Sequence, residues 1–156
     1  MMGRRVLVAG TFDLIHEGHI KMLWEAKKLA GDDGELVVVI ARDENVKRFK
    51  GRFPVLRESS RAYIVKNLKP VDRVVLGEKD PLDSIGKIRP DVIALGYDQW
   101  AEERWLKEEL RKRGMEVEVV RLPRFGDSSS SSIIDKIVRL FCSNKEPGNS
   151  GGEPKS

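Results

Sequence analysis

The stretch Val8–Leu23, "VAGTFDLIHEGHIKML", decides how the chain is read. It begins as an apolar strand, breaks at Gly10, and resumes with helical spacing from Ile20 onward. It also holds both histidines of the chain, His16 and His19, three residues apart at the start of that helix. Residues i and i+3 share one face of a turn, so both imidazoles can address one ligand. A helix start offers unpaired N–H groups and the positive end of the macrodipole, which favour an anion. Zinc is a poorer match. A helical zinc pair is usually spaced i, i+4 and needs further ligands. The chain has no third histidine, and its one cysteine, Cys142, lies far along the sequence. The remaining alternative is a structural one, in which the histidines cap or pack the helix start.

Outward from this stretch the pattern repeats. Strand-length apolar runs occur as "RRVLVAG", "ELVVVIA", "DRVVLG", "DVIALG" and "VEVVRL". Segments with helical spacing lie between them. Ile20, Leu23, Trp24, Lys27 and Leu29 outline a first helix that Gly31 ends. "DENVKRF" is a short turn or helix, followed by a loop "KGRFPVL". "RESSRAYIVKNL" is a helix stopped by Pro70, and "DPLDSIGKI" is a short one ended at Arg89-Pro90. "QWAEERWLKEELRKRG" is strongly amphipathic, with acidic residues early, basic residues late and Gly114 as its stop. "SSSIIDKIVRLF" is the last helix. Strands alternating with helices predict an α/β fold: one doubly wound, all-parallel, five-stranded sheet. The order expected if this sheet is Rossmann-like is 3-2-1-4-5. The domain is expected over residues 1–142. The polar tail 143–156, "SNKEPGNSGGEPKS", is expected to be disordered.

Composition narrows the function. At 156 residues the chain has the size of one domain. No apolar run approaches the roughly 18 residues that span a bilayer, and the first residues read as a strand instead of a signal peptide. A single cysteine excludes an internal disulfide and fits a reducing cytoplasm. The net charge of +4 is spread along the chain and does not demand nucleic acid. It suits a phosphorylated small molecule equally well.

In a doubly wound sheet, ligands bind outside the carboxyl ends of the strands, where the strand order reverses. "GTFDLIHEGH" lies at that edge. It resembles the GTFDxxHxGH signature of the cytidylyltransferase-like nucleotidyltransferases, matching it at Gly10, Thr11, Phe12, Asp13, His16, Gly18 and His19. The resemblance implies nucleotidyl transfer: an acceptor phosphate attacks the α-phosphorus of a nucleoside triphosphate, and pyrophosphate leaves. It implies that His16 and His19 hold the triphosphate and stabilise charge. Gly10, Thr11, Phe12 and Glu17 would lie along the nucleotide, and Gly18 would leave room for a phosphate. Asp13 either bonds loop amides or contacts a metal or the acceptor. Lys47 and Lys50 are candidates to reach the phosphates, with Lys50 preferred because it adjoins Gly51 in a loop. Arg61, early in its helix, matches a family position able to hold a phosphate.

The later segments extend the resemblance. Gly96 and Asp98 match a G-x-D position that contacts the nucleotide. Ser130, Ser131 and Ser132 align with a serine/threonine motif opening the last helix, with Ile134 as its buried residue. Two departures are plain: a serine replaces the leading apolar residue, and Asp135, followed by Lys136, stands where a basic residue is usual. Phe125 either lies against the base or packs.

Three acceptors separate the family. Glycerol-3-phosphate cytidylyltransferases share the GTFD signature and carry an R-x-x-G-I-S-T-T ending; this chain has Arg124 and a serine run but lacks that ending. Nicotinamide mononucleotide adenylyltransferases carry a proline where this chain has "DLI". Much of the chain up to Leu122, including "LKPVDRVVLG", "KIRPDVIALGYDQ" and "LKEELRKRGMEVEVVRL", is similar to the archaeal-type FAD synthases. That similarity implies ATP and FMN as substrates, with CTP as the alternative donor. It implies Mg²⁺ or a similar divalent ion, no tightly bound organic cofactor, and a homodimer. Trp100, Trp105 or Phe53 would help form a slot for the flavin ring, with core packing the preferred role for Trp105. A non-enzymatic nucleotide- or RNA-binding module is the remaining alternative, and the intact histidine pair argues against it.

Overall fold

The computed structural model describes residues 3–97, 99, 101–126 and 129–142. Asp98, Trp100 and the tail 143–156 lie outside them. Five strands form one sheet: β1 (Arg5–Gly10), β2 (Glu35–Ile40), β3 (Arg73–Leu76), β4 (Val92–Leu95) and β5 (Glu118–Arg121). All adjacent pairs are parallel, as the alternation of apolar runs predicts, and the order is the expected β3-β2-β1-β4-β5. The reversal of order falls between β1 and β4.

The strands read as continuous apolar runs because both faces are covered. Val6, Val8, Leu36, Val38, Ile40, Val92 and Ala94 face one core, with Leu23, Ala26, Ala30 and Val65 from the helices α1 (Glu17–Ala30) and α3 (Glu58–Lys66). Leu7, Val37, Val39, Ile93 and Leu95 face the other core. There they meet Ile85 and Ile88 of α4 (Pro81–Ile88) and Leu106 and Leu110 of α5 (Glu103–Lys112). Between β2 and α3, α2 spans Asp43–Lys50.

Four details depart from the sequence reading. The buried stripe of α1 is Leu23, Ala26 and Ala30, while Trp24 stays 44% exposed and Lys27 turns to an ion pair with Asp72 at 2.5 Å. Lys50 is the last residue of α2 and not part of a loop. Helix α5 begins at Glu103, because the carbonyls of Gly96, Tyr97, Gln99 and Ala101 are drawn to the Arg121 guanidinium instead of into a helical ladder. Trp105 stands 41% exposed on that helix, and Leu106 and Leu110 form its buried side.

The last helix, α6 (Ser130–Phe141), has the predicted span but buries no residue. Ile134 is half-buried, and Ile137, Val138, Leu140 and Phe141 are exposed. Cys142 is the exposed C-cap of this helix. Among the described residues no helix is long and apolar enough to cross a membrane.

The choice of stripe on α1 is testable. Leu23→Ala is expected to cost about 2–5 kcal/mol, the range for a fully buried leucine. Trp24→Ala is expected to cost well under that, as urea midpoints would show. Equal losses would mean that Trp24 carries core packing.

Candidate active site

The loop after β1 is shaped by backbone that most residues avoid. Phe12 and Leu14 both lie in the left-handed region, at φ 55 and φ 47. Such positions persist where surrounding contacts over-determine them. Three sets of contacts do so here. Phe12 is buried in the α1 core, its ring 5.5 Å from that of His19. The buried Asp13 carboxylate accepts from the amides of Val55 (2.7 Å) and Leu56 (3.0 Å). Arg61, fully buried, donates from Nη1 to the Thr11 carbonyl (2.7 Å) and from Nε to the Leu56 carbonyl (2.8 Å), and its Nη2 pairs with Asp43 at 2.6 Å.

These contacts revise three sequence expectations. All three nitrogens of Arg61 serve protein acceptors, so it acts through Thr11 and is not placed to bind a phosphate. Both oxygens of Asp13 are engaged by the 51–57 loop, as the loop-amide alternative has it. Phe12 supports His19 from within the core and is not offered to a nucleotide.

The histidines themselves cap α1. His16 is its N-cap: Nδ1 accepts from the Gly18 amide at 3.1 Å, while His19 Nδ1 accepts from the His16 amide at 3.3 Å. The rings stand 4.0 Å apart, tilted by 46°. Because each Nδ1 accepts, each neutral imidazole carries its proton on Nε2. Capping and ligand binding, which the sequence poses as alternatives, use opposite nitrogens of the same rings. Burial lowers the His16 pKa below the ordinary 6.5, and the Glu17 carboxylate pulls the other way. Glu17 itself is exposed and pairs with Lys21 at 3.4 Å.

Gly18 has a different reason from the one the sequence suggests. A Cβ here would lie 2.6 Å from the Phe125 carbonyl oxygen and 2.9 Å from His16 Cε1. The glycine admits a neighbouring chain segment. Phe125 is half-buried and packs on the α1 core. One step further, Ser130 Oγ donates to the Asp13 carbonyl, joining the start of α6 to the histidine loop. The N-cap of α6 is Ser129, in a reciprocal cap with Ser132, one residue ahead of the expected triplet. Ser131 is exposed.

Gly96 closes β4 across the switch point from Gly10. Lys47 and Lys50 are exposed on α2, with Lys47 Nζ 4.9 Å above the Phe53 ring. The sequence reading missed Asp43, the anchor of Arg61, because the partners lie 18 positions apart with no shared motif. Its one local signal is an acidic residue opening a helix, which the macrodipole already explains. Among the described residues no three His, Cys, Asp or Glu side chains gather in a way that could hold a metal ion.

A doubly wound sheet that carries two Nε2–H imidazoles on a helix start at its switch point defines a nucleotidyltransferase of the HxGH type. The chain belongs to the cytidylyltransferase-like family, whose model matches residues 7–137, and within it to the FAD synthases. It is 76% identical over 144 residues to the FAD synthase of Korarchaeum cryptofilum (strain OPF8), covering 92% of this chain and 98% of that one. It is 51% identical to the FAD synthase of Aciduliprofundum boonei (strain DSM 19572 / T469), over 86% of this chain and 90% of that one. The crystal structure of the lipopolysaccharide core biosynthesis protein from Thermoplasma volcanium GSS1 is 41% identical. It superposes with a TM-score of 0.74, covering 80% of this chain and 99% of that one.

Two outcomes follow from this geometry. The folded state holds His16 below its unfolded pKa, so the unfolded chain binds the extra proton between the two values. The contribution of this group to stability is complete above pH 6.5 and is lost as pH falls through the folded value. His16→Asn keeps an N-cap acceptor but does not titrate. Its melting temperature is expected to depend less on pH than that of wild type between about pH 7 and about pH 5, and equal slopes would remove the link. Arg61→Lys cannot span three acceptors and is expected to cost about 3 kcal/mol or more. A denaturation midpoint matching wild type would show that the hub is dispensable.

Proposed function

We propose that this chain transfers the adenylyl group of ATP to FMN, giving FAD and pyrophosphate. An oxygen of the FMN phosphate attacks the α-phosphorus of ATP. The bond to the α,β-bridging oxygen breaks, and pyrophosphate leaves with that electron pair. The work of the protein is alignment and charge stabilisation. The observation that carries the reading is the pair of imidazoles whose Nδ1 atoms are held by backbone amides, which directs two Nε2–H donors from one helix start. Those donors would bind phosphate oxygens and gain strength as charge builds on the leaving group.

Other residues take supporting roles in this reading. Thr11 and the backbone at Gly10 and Gly18 shape the phosphate pocket. Lys50, with Lys47, reaches in from α2 toward the phosphates. Gly96 would lie along the nucleoside, and the role proposed for Asp98 is to accept from the ribose hydroxyls or the base. Ser130 and Ser132 hold the start of α6 beside the histidine loop, and Ser131 offers its exposed hydroxyl. Asp13 and Arg61 hold the loop without touching substrate.

The described residues do not fit a protein-held divalent cation, since both Asp13 oxygens are committed to amides. Mg²⁺ or a similar ion would therefore arrive on the phosphates of the nucleotide, as is common for this hard cation. The reading includes a cytoplasmic homodimer with no nucleic-acid partner.

The test is to incubate the purified protein with Mg²⁺, FMN and either ATP or CTP, and to resolve the flavins by chromatography. FAD is expected with ATP. His16→Ala and His19→Ala are each expected to lose about 100- to 1,000-fold in rate, the usual cost of one preorganised donor. CMP transfer to glycerol 3-phosphate, with no flavin product, would overturn the choice of acceptor.

A further inference from the structure

We propose that Gln99 and Arg121 are positioning residues for the nucleotide: together they set the width of the crevice between β1 and β4 and hold the chain that lines it. This rests on the adenylyl-transfer reading above. The starting observation is an incomplete ladder. β1 pairs with β2 along its whole length, from Arg5↔Glu35 to Gly10↔Ile40. With β4 it pairs only at Val6↔Val92 and Leu7↔Ile93, although both strands run on to Gly10 and Leu95. The sheet forks at its switch point, on the edge where this fold binds ligands.

The Gln99 carboxamide sits in the fork. Its Oε1 accepts from the Gly96 amide at 2.8 Å, and its Nε2 donates to the Ala9 carbonyl at 2.6 Å. A carboxamide has one acceptor and one donor end, as a peptide group does. It therefore replaces a rung of the ladder while keeping the strands a side chain apart. Ala9 adjoins Gly10, where the histidine loop begins, so the rung ties the two walls of the site to each other.

Arg121, the last residue of β5, holds the second wall. Its Nη1 donates to the carbonyls of Gly96 (2.9 Å), Gln99 (3.3 Å) and Tyr97 (3.4 Å), and its Nη2 donates to that of Ala101. Glu103 accepts from Nε at 2.8 Å and from Nη2 at 2.5 Å, which fixes the guanidinium from behind. One cation thus gathers four carbonyl oxygens of a short connection beside an anion site. Oxygens so engaged are not available to repel a triphosphate. A lysine could hold the charge but not the fork of donors.

The consequence is selective. Gly96, Tyr97, Gln99 and Ala101 follow β4, on the side of the crevice that the reading above gives to the nucleoside of ATP. Loss of the rung is therefore expected to weaken ATP and not FMN. Steady-state rates would be measured for wild type, Gln99→Leu, Gln99→Glu and Arg121→Lys, varying each substrate with the other saturating. Gln99→Leu is expected to raise KM for ATP about tenfold, with KM for FMN within about twofold of wild type. Gln99→Glu places a carboxylate against the Ala9 carbonyl and is expected to behave likewise at neutral pH. On acidification its protonated carboxyl regains one donor and one acceptor, so its KM for ATP should return toward the wild-type value. Lost packing would give no such rescue. Arg121→Lys carries the same test if Gln99→Leu does not fold. An unchanged KM for ATP, a parallel rise for both substrates, or no rescue of Gln99→Glu would overturn the proposal. If wild type makes no FAD, the reaction assignment fails separately, and ATP dissociation constants of the same proteins by calorimetry decide the positioning role by the same criteria.

Discussion

The first loop is held from both sides of its backbone, and the rest of the site depends on that grip. Asp13 takes two amides from the 51–57 loop, while Arg61 takes the Thr11 carbonyl and, through Leu56, the same distant loop. Left-handed backbone at a non-glycine residue costs of order 1–3 kcal/mol, and this loop has two such residues, Phe12 and Leu14. Without the clamp the loop would relax, and the helix start would lose its first N-cap. A buried arginine is a hazardous device, because an unpaired charge in the interior is severely destabilising. Here every nitrogen has an acceptor, and the hazard becomes rigidity.

The imidazoles show how a structural and a chemical demand can be met by one side chain. A serine would cap the helix as well as His16 does. A serine would not present an N–H on the far side of the ring, fixed in direction by the cap itself. Glycine at position 18 is part of the same economy. It lets the Phe125 carbonyl and the His16 ring occupy the space that a side chain would fill.

Most of the fold was legible because it rests on local pattern. Five apolar runs with helical segments between them were enough for a parallel, doubly covered sheet, and the GTFDLIHEGH stretch was enough to put a histidine pair at its switch point. What escaped was set by distant partners. Nothing near Asp13 announces the amides 42 and 43 positions away, and nothing near Arg61 announces a carbonyl 50 positions back. A surface phosphate-binder and a buried hub are the same letter in a sequence. Trp24 was misjudged because residue type suggested burial, whereas the buried face of α1 runs through Leu23, Ala26 and Ala30. The serine run hid its own register: five identical residues leave the N-cap undetermined until Ser130 meets the Asp13 carbonyl.

That last contact joins residues 117 positions apart. Long-range closures of this kind come late in folding, since the entropy of ordering the intervening chain must be met before they reward it. The histidines are made well before Phe125, whose carbonyl lies beside Gly18, and Ser130, whose hydroxyl meets the Asp13 carbonyl. A nascent chain therefore carries the signature before it has the segment that closes over it.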